Sequence, residues 1–151
     1  MTTDLWPSLV DRFRERARSR PVALEISGDL ASAVAAVVAC DALGPDNVTG
    51  LALGDEVAPE VRDLALRTGL DFRFEPVQPI LDAFLAALTL DAPVVANLQA
   101  RVHRVVLLAL AEQEGRAVLD PLSDVPAGVL PELARWRNAQ GDIDIIPVSA
   151  M

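Results

Sequence analysis

Residues Pro21 to Gly44 read PVALEISGDLASAVAAVVACDALG. Val22-Ala23-Leu24-Glu25-Ile26 is a short, mostly apolar run of strand length. Ser27-Gly28-Asp29 turns the chain, and Leu30 to Leu43 carries apolar residues on nearly every side. A buried strand, a tight turn of small residues and a buried helix make the first half of a βαβ unit. Such a turn gathers backbone N–H groups at a helix N-terminus, a natural seat for phosphate.

Before this unit, Thr3 is placed to cap a first helix whose apolar stripe is Leu5, Trp6, Leu9, Val10 and Phe13. Pro7 falls in its first turn, where a missing N–H costs little. The stripe should lie on the sheet or on a partner subunit, and Arg18-Ser19-Arg20-Pro21 ends the helix. After the unit, Gly44 to Asn47 is a turn and Val48 to Leu53 a second strand. Gly54-Asp55-Glu56 leads into a helix with Val57, Val61, Leu64, Ala65 and Thr68 on one face, closed by Gly69. A third strand is expected from Asp71 to Val77, then a helix carrying Ile80, Leu81, Phe84, Leu85 and Leu88.

Asp91-Ala92-Pro93 opens the longest helix, which runs to Glu114 before Gly115. Arg116 to Leu119 is a short fourth strand, Asp120 to Pro131 a loop, Leu130 to Asn138 a last helix, and Ile143 to Val148 fits an edge strand. Strands alternating with helices over short connections define a three-layer, Rossmann-like α/β domain around a parallel sheet, a single domain over residues 1–151.

The length suits one domain, and an apolar fraction of 52% points to extensive burial or an oligomeric interface. The longest uninterrupted apolar run, Ala33 to Cys40, is short of a membrane span, and no apolar core follows a basic start, so the cytoplasm is the expected location. Cys40 is the only cysteine and reads as a small core residue; His103 is the only histidine and has no companion for a zinc site. Residues 1–20 hold five arginines against three acids, whereas the rest holds eight against nineteen, within an overall charge of −9. A body this acidic repels a polyphosphate backbone, which argues against nucleic acid as a partner. All thirteen basic residues are arginine, so no lysine can serve as a mobile point charge on phosphates.

Ser27-Gly28-Asp29-Leu30-Ala31-Ser32 resembles the SGGxDS pyrophosphate loop of the adenine-nucleotide α-hydrolase group. Two further stretches are similar to NAD synthetases: Pro76 to Phe84 (PVQPILDAF), and Asn97-Leu98-Gln99-Ala100-Arg101-Val102-His103, which resembles an NxQARxR helix. The resemblance spans roughly residues 8–119 and implies a sheet of order 3-2-1-4, with Ile143 to Val148 available as a fifth strand. It also implies a homodimer paired through the long helix, and ATP- and Mg²⁺-dependent amidation of a deamido dinucleotide.

Measured against that family the chain keeps Ser27 and Gly28 but departs in both of its phosphate loops. Asp29 replaces the second glycine, and Ala31 replaces the aspartate that is a metal ligand in the family. Two unit charges 4 Å apart repel by about 4 kcal/mol at an effective dielectric of 20, so a carboxylate there opposes phosphate. Read from the residues themselves, Asp29 caps the following helix, accepting the N–H of Ala31 or Ser32 for roughly 1 kcal/mol. The GTGNxxE-like loop of the family becomes Asp120-Pro121-Leu122-Ser123-Asp124-Val125-Pro126, where only a shifted register brings Asp124 to the metal position.

The resulting expectation is a degenerate phosphate loop at Ser27, Gly28, Asp29 and Ser32. Asn97, Gln99, Arg101 and Arg104 form a substrate or interface cluster by resemblance, or else are polar residues interrupting a core helix. Gln99 and Arg101 are two apart and do not share a face, whereas Asn97/Arg101 and Arg101/Arg104 have helical spacing. His103 is expected on a polar face or an interface. No catalytic residue, metal or cofactor is expected, and the reading is a binding, regulatory or structural homodimer with a nucleotide or dinucleotide as ligand. The alternative is a minimal active ammonia-dependent synthetase using ATP and Mg²⁺.

Overall fold

In the computed structural model, which describes residues 2–119 and 122–147, the strand read first is central. β1 (Val22–Glu25) is flanked by β2 (Val48–Ala52), then β3 (Asp71–Phe74), and on its other side by β4 (Ala117–Val118). All pairings are parallel, in the order β3-β2-β1-β4, with Val22 opposite both Val48 and Ala117 and Thr49 opposite Asp71. The strands are shorter than the apolar runs suggest. The ladder nevertheless continues as the chain leaves the sheet: Ile26 N–H donates to Leu51 O at 2.9 Å and Glu75 N–H to Ala52 O at 2.9 Å.

Period-two alternation sends the strand side chains to two cores. Val22, Leu24 and Ile26 join α1 (Thr2–Ala17), α2 (Leu30–Leu43), α3 (Pro59–Thr68) and α6 (Leu130–Asn138). Ala23, Leu51 and Leu53 meet Val102, Leu107 and Ala111 of α5 (Ala92–Gln113), against which α4 (Gln78–Ala87) packs. α2 is buried at every position from Ser32 to Ala39, because the sheet, α1, α3 and α6 surround it. That explains its lack of an amphipathic stripe. α5 is long and apolar enough to cross a membrane by length and composition, yet here it lies along β1 and β4.

The apolar stripe of α1 packs on α2 and α6, with an edge of β4, rather than across the sheet. The helix starts at Thr2, so Thr3 lies inside it instead of capping it. Its far end turns through Arg18 (φ 51°) and Ser19 (φ 63°), a left-handed conformation that few non-glycine residues adopt. One polar knot ties three helices of this layer, α1, α2 and α6. Asp41 on α2 accepts Trp6 Nε1–H at 2.9 Å, Arg137 Nε–H at 2.7 Å and Arg137 Nη2–H at 2.9 Å. The Trp6 and Trp136 rings lie beside it, centroids 6.2 Å apart and tilted by 37°. Next to the knot, burial pushes the Cys40 thiol up to about 12, with the Asp41 charge adding to the effect. Cys40 is partly buried and packs against the core, close to the small core residue its sequence setting indicates.

The expected edge strand at Ile143 to Val148 is not formed among its described residues, and Val148 lies outside them. Asn138 holds this segment instead. Its buried side-chain amide donates to Ile146 O and accepts Ile146 N–H, both at 2.9 Å. With both backbone groups of Ile146 satisfied by one side chain, the fully buried Ile146 needs no strand partner.

One close approach sets how β1 and β2 pack. A Cβ at Gly50 would lie 2.3 Å from Ile26 Cδ1 and 3.1 Å from Ile26 Cγ1. Gly50→Ala is therefore expected to destabilise the protein by about 1–3 kcal/mol through overpacking. A urea titration followed by circular dichroism checks this; a midpoint equal to the parent's would mean Ile26 is not confined.

Candidate functional site

The turn from β1 to α2 sits at the carboxyl edge of the sheet, beside the N-terminus of a buried helix. Gly28 has φ +91°, the left-handed region that favours glycine. Asp29 (φ −80°, ψ 164°) is the N-cap of α2. Its Oδ1 accepts Ser32 N–H at 2.8 Å, the second of the two partners the sequence allows. Ser32 Oγ donates to Asp29 O at 3.1 Å and accepts Ser27 N–H at 3.2 Å. Ala33 N–H donates to Asp29 O at 3.2 Å. Three backbone donors around the turn are thus engaged by its own residues, and a carboxylate stands where the family loop has glycine.

Two cavities open on either side of the end of β1. The first, about 280 Å³, is lined by Glu25, Ser27, Asp29, Ser32 and Arg104 together with apolar residues from β1, α2 and α5. The second, about 310 Å³, is lined by Glu25, Ser27, Asp55, Glu56, Gln99 and His103 among others. Glu25 belongs to both. Its Oε2 lies 2.7 Å from His103 Nδ1, a contact from the end of β1 to α5 with the two side chains 28% and 16% exposed.

α5 distributes its polar residues over different surfaces. Gln99 and His103, four apart, face the second cavity, while Ala100 and Arg104, also four apart, face the first. Arg101 points to the opposite side, into an apolar groove with Ile80, Phe84 and Val105. Asn97 is exposed and lines none of these cavities. The structure does not bring Asn97, Gln99, Arg101 and Arg104 into one cluster. His103, expected on a polar face or interface, is a cleft residue tied to Glu25. Neither Glu25 nor its pairing emerges from the sequence; the available signal is a single carboxylate in an otherwise apolar strand.

After β4 the described segment Leu122 to Pro126 contributes to the core. Leu122 and Val125 are buried, and Asp120 and Pro121 lie outside the described residues. Asp124 lines neither cleft cavity but pairs with Arg12 of α1, whose guanidinium holds the carboxyl below its usual range. Among the described residues no group of three or more His, Cys, Asp or Glu is arranged to hold a metal ion. Ala31, in the place of the family's metal ligand, has no oxygen to offer from its side chain. The described residues therefore do not fit a Mg²⁺ site of the family type.

A parallel sheet of order 3-2-1-4, with a phosphate-loop position after its first strand and helices on both faces, has the fold of the adenine-nucleotide α-hydrolases. Within that class the NAD synthase family model matches residues 4–123, and the chain belongs to this family. It is 30% identical to the glutamine-dependent NAD(+) synthetase of Xylella fastidiosa, over 95% of this chain and 33% of that protein. It is 34% identical to the NH(3)-dependent NAD(+) synthetase of Pyrococcus furiosus, over 74% of this chain and 45% of that protein. The chain thus spans less than half the length of either relative. The solved structure of the glutamine-dependent NAD+ synthetase from Acinetobacter baumannii, in complex with ADP, superposes with a TM-score of 0.89 at 24% identity. It covers 99% of this chain and 35% of that one.

The Asp29 cap generates two opposed expectations for Asp29→Gly. Glycine at an N-cap costs only a few tenths of a kcal/mol, so stability should fall slightly. Removing the carboxylate should free the Ser32 N–H for an anion, so pyrophosphate should raise the melting temperature of the variant more than that of the parent. Equal shifts in thermal melts of the two proteins would mean that the turn is not a relict phosphate loop.

Proposed function

We propose that this chain is a cytoplasmic NAD synthase-family domain that has lost ATP-dependent amide ligation and acts as a binding or regulatory homodimer. The observation that carries the reading is the Asp29 carboxylate capping α2. It places a negative charge where a transferred nucleotide would need its phosphates neutralised, next to Ala31 in the metal-ligand position. Catalysis of this kind depends above all on electrostatic stabilisation of the developing charge, and a site of the wrong sign cannot provide it. The commitment of Asp124 to Arg12 supports the same conclusion, since it removes the other acid considered for a metal. The ligand remains of nucleotide or dinucleotide type in this reading, held without a cofactor or metal.

The assembly follows from the outer surface of α4 and α5. Ile80, Phe84, Leu85, Leu88, Val105 and Leu108 are all more than a third exposed, a larger set of apolar side chains than an isolated domain normally leaves in water. A second copy covering this face would bury them. The interface should exceed about 1,600 Å² in total, the usual size for a specific complex.

Two measurements test the proposal. ATP–pyrophosphate exchange and amidation of deamido-NAD should both be undetectable in the presence of Mg²⁺; turnover that EDTA abolishes would establish instead a minimal ammonia-dependent synthetase. Light scattering at micromolar concentration should give twice the 16.1 kDa of one chain, and a monomer mass would reject the homodimer.

A further inference from the structure

The outer surface of α5 carries a stripe at Arg101, Val105, Leu108 and Glu112, with gaps of four, three and four residues. Such gaps keep the four side chains in one line along a helix, as the a and d positions of a heptad do. None of the four is among the residues buried against the sheet, which are Val102, Leu107 and Ala111. Val105 is 65% exposed and Leu108 44%. Arg101 and Glu112 are exposed as well, and neither has an ion pair or side-chain hydrogen bond among the described residues. Glu114, two positions on, is by contrast held by Arg73 and Arg116. The stripe thus offers two apolar side chains between two unspent charges of opposite sign.

We propose that a second copy of this chain docks on the stripe with its α5 antiparallel, the two-fold axis passing between Val105 and Leu108. A two-fold interface sets residue i of one protomer against j of the other, and j against i. The gaps read the same from either end, so Val105 meets Leu108 of the partner subunit and Arg101 meets Glu112 of the partner subunit, each twice. Charge selects this arrangement over its neighbours. A parallel pairing opposes Arg101 to Arg101 and Glu112 to Glu112, with like charges at both ends. Sliding the antiparallel partner by one heptad matches Leu98 with Leu108, but it sets Arg101 on Val105 and Glu112 on Val94. Charges flanking an apolar seam fix register and orientation more than they add affinity. The inference rests on the homodimer proposed above and specifies how its two copies meet.

Sedimentation velocity at constant ionic strength compares the full-length parent with Arg101→Glu, Glu112→Arg and an equimolar mixture of the two variants. Each reversal sets like charges at both ends of the seam and should weaken its own dimer at least about tenfold. Glu112→Arg also brings the net charge of −9 nearer to zero, so general repulsion alone would tighten its dimer instead. The mixture should return to parent affinity, because one protomer then carries two acids and the other two arginines. Circular dichroism reports whether each variant is folded. Should a charge variant fail to fold, air oxidation of mixed Val105→Cys and Leu108→Cys proteins gives the reading, with the mixed disulfide exceeding the share expected from random pairing. A parent that sediments as a monomer overturns the homodimer and this inference with it. A dimeric parent with a reversal that weakens it less than tenfold, or a mixture no tighter than its components, or random disulfide pairing, overturns the α5 register alone.

Discussion

An α-helix begins with N–H groups that have no partner within the helix, and burial of the helix decides who can satisfy them. α2 is enclosed on nearly all sides, so its first turn opens only towards the carboxyl edge of the sheet. In a nucleotide site that opening is left for an anion. In this chain a side chain three residues before Ser32 takes the Ser32 N–H, and the order of β1, turn and α2 is otherwise that of a phosphate-binding fold. In the function proposed above, the scaffold and the capacity for phosphate come apart at one residue, because a helix gains as much from its own carboxylate as from a ligand's.

The same separation governs α5. Its buried residues Val102, Leu107 and Ala111 fix the helix on the sheet. Once it is fixed, the helical repeat assigns each polar residue to a surface: Gln99 and His103 to one cavity, Arg104 to the other, Arg101 to the outer groove. A motif that reads as one cluster along the chain therefore serves three surroundings in space. The contact of His103 with Glu25 spans the cleft from helix to strand, and Glu25 lines both cavities.

What can be read from the chain follows from how local each feature is. α2 and α6 have the ends expected for them, because caps and breakers stand within a residue or two of each terminus. Asp29 is legible as a cap for the same reason, its acceptor and donor being three residues apart. Apolar runs overstate the strands because Ile26, Leu53 and Val77 stay buried beyond the pairing that defines a strand. The segment at Ile143 mimics a strand because burial of Ile146 is arranged by Asn138, which no apolar pattern encodes. Glu25 and His103 are separated by 78 positions, and nothing in either neighbourhood announces the other.

The Trp6–Asp41–Arg137 knot also determines what light can report about this protein. The sequence contains two tryptophans and no tyrosine, and both indoles stand in one corner, their centroids 6.2 Å apart. Intrinsic fluorescence and the near-ultraviolet dichroism of the indoles are thus local probes of the junction of α1, α2 and α6. Neither ring lines a cavity at the end of β1. The emission is positioned to follow the loosening of that corner, where Asp41 holds Trp6 and Arg137, rather than events at the end of β1.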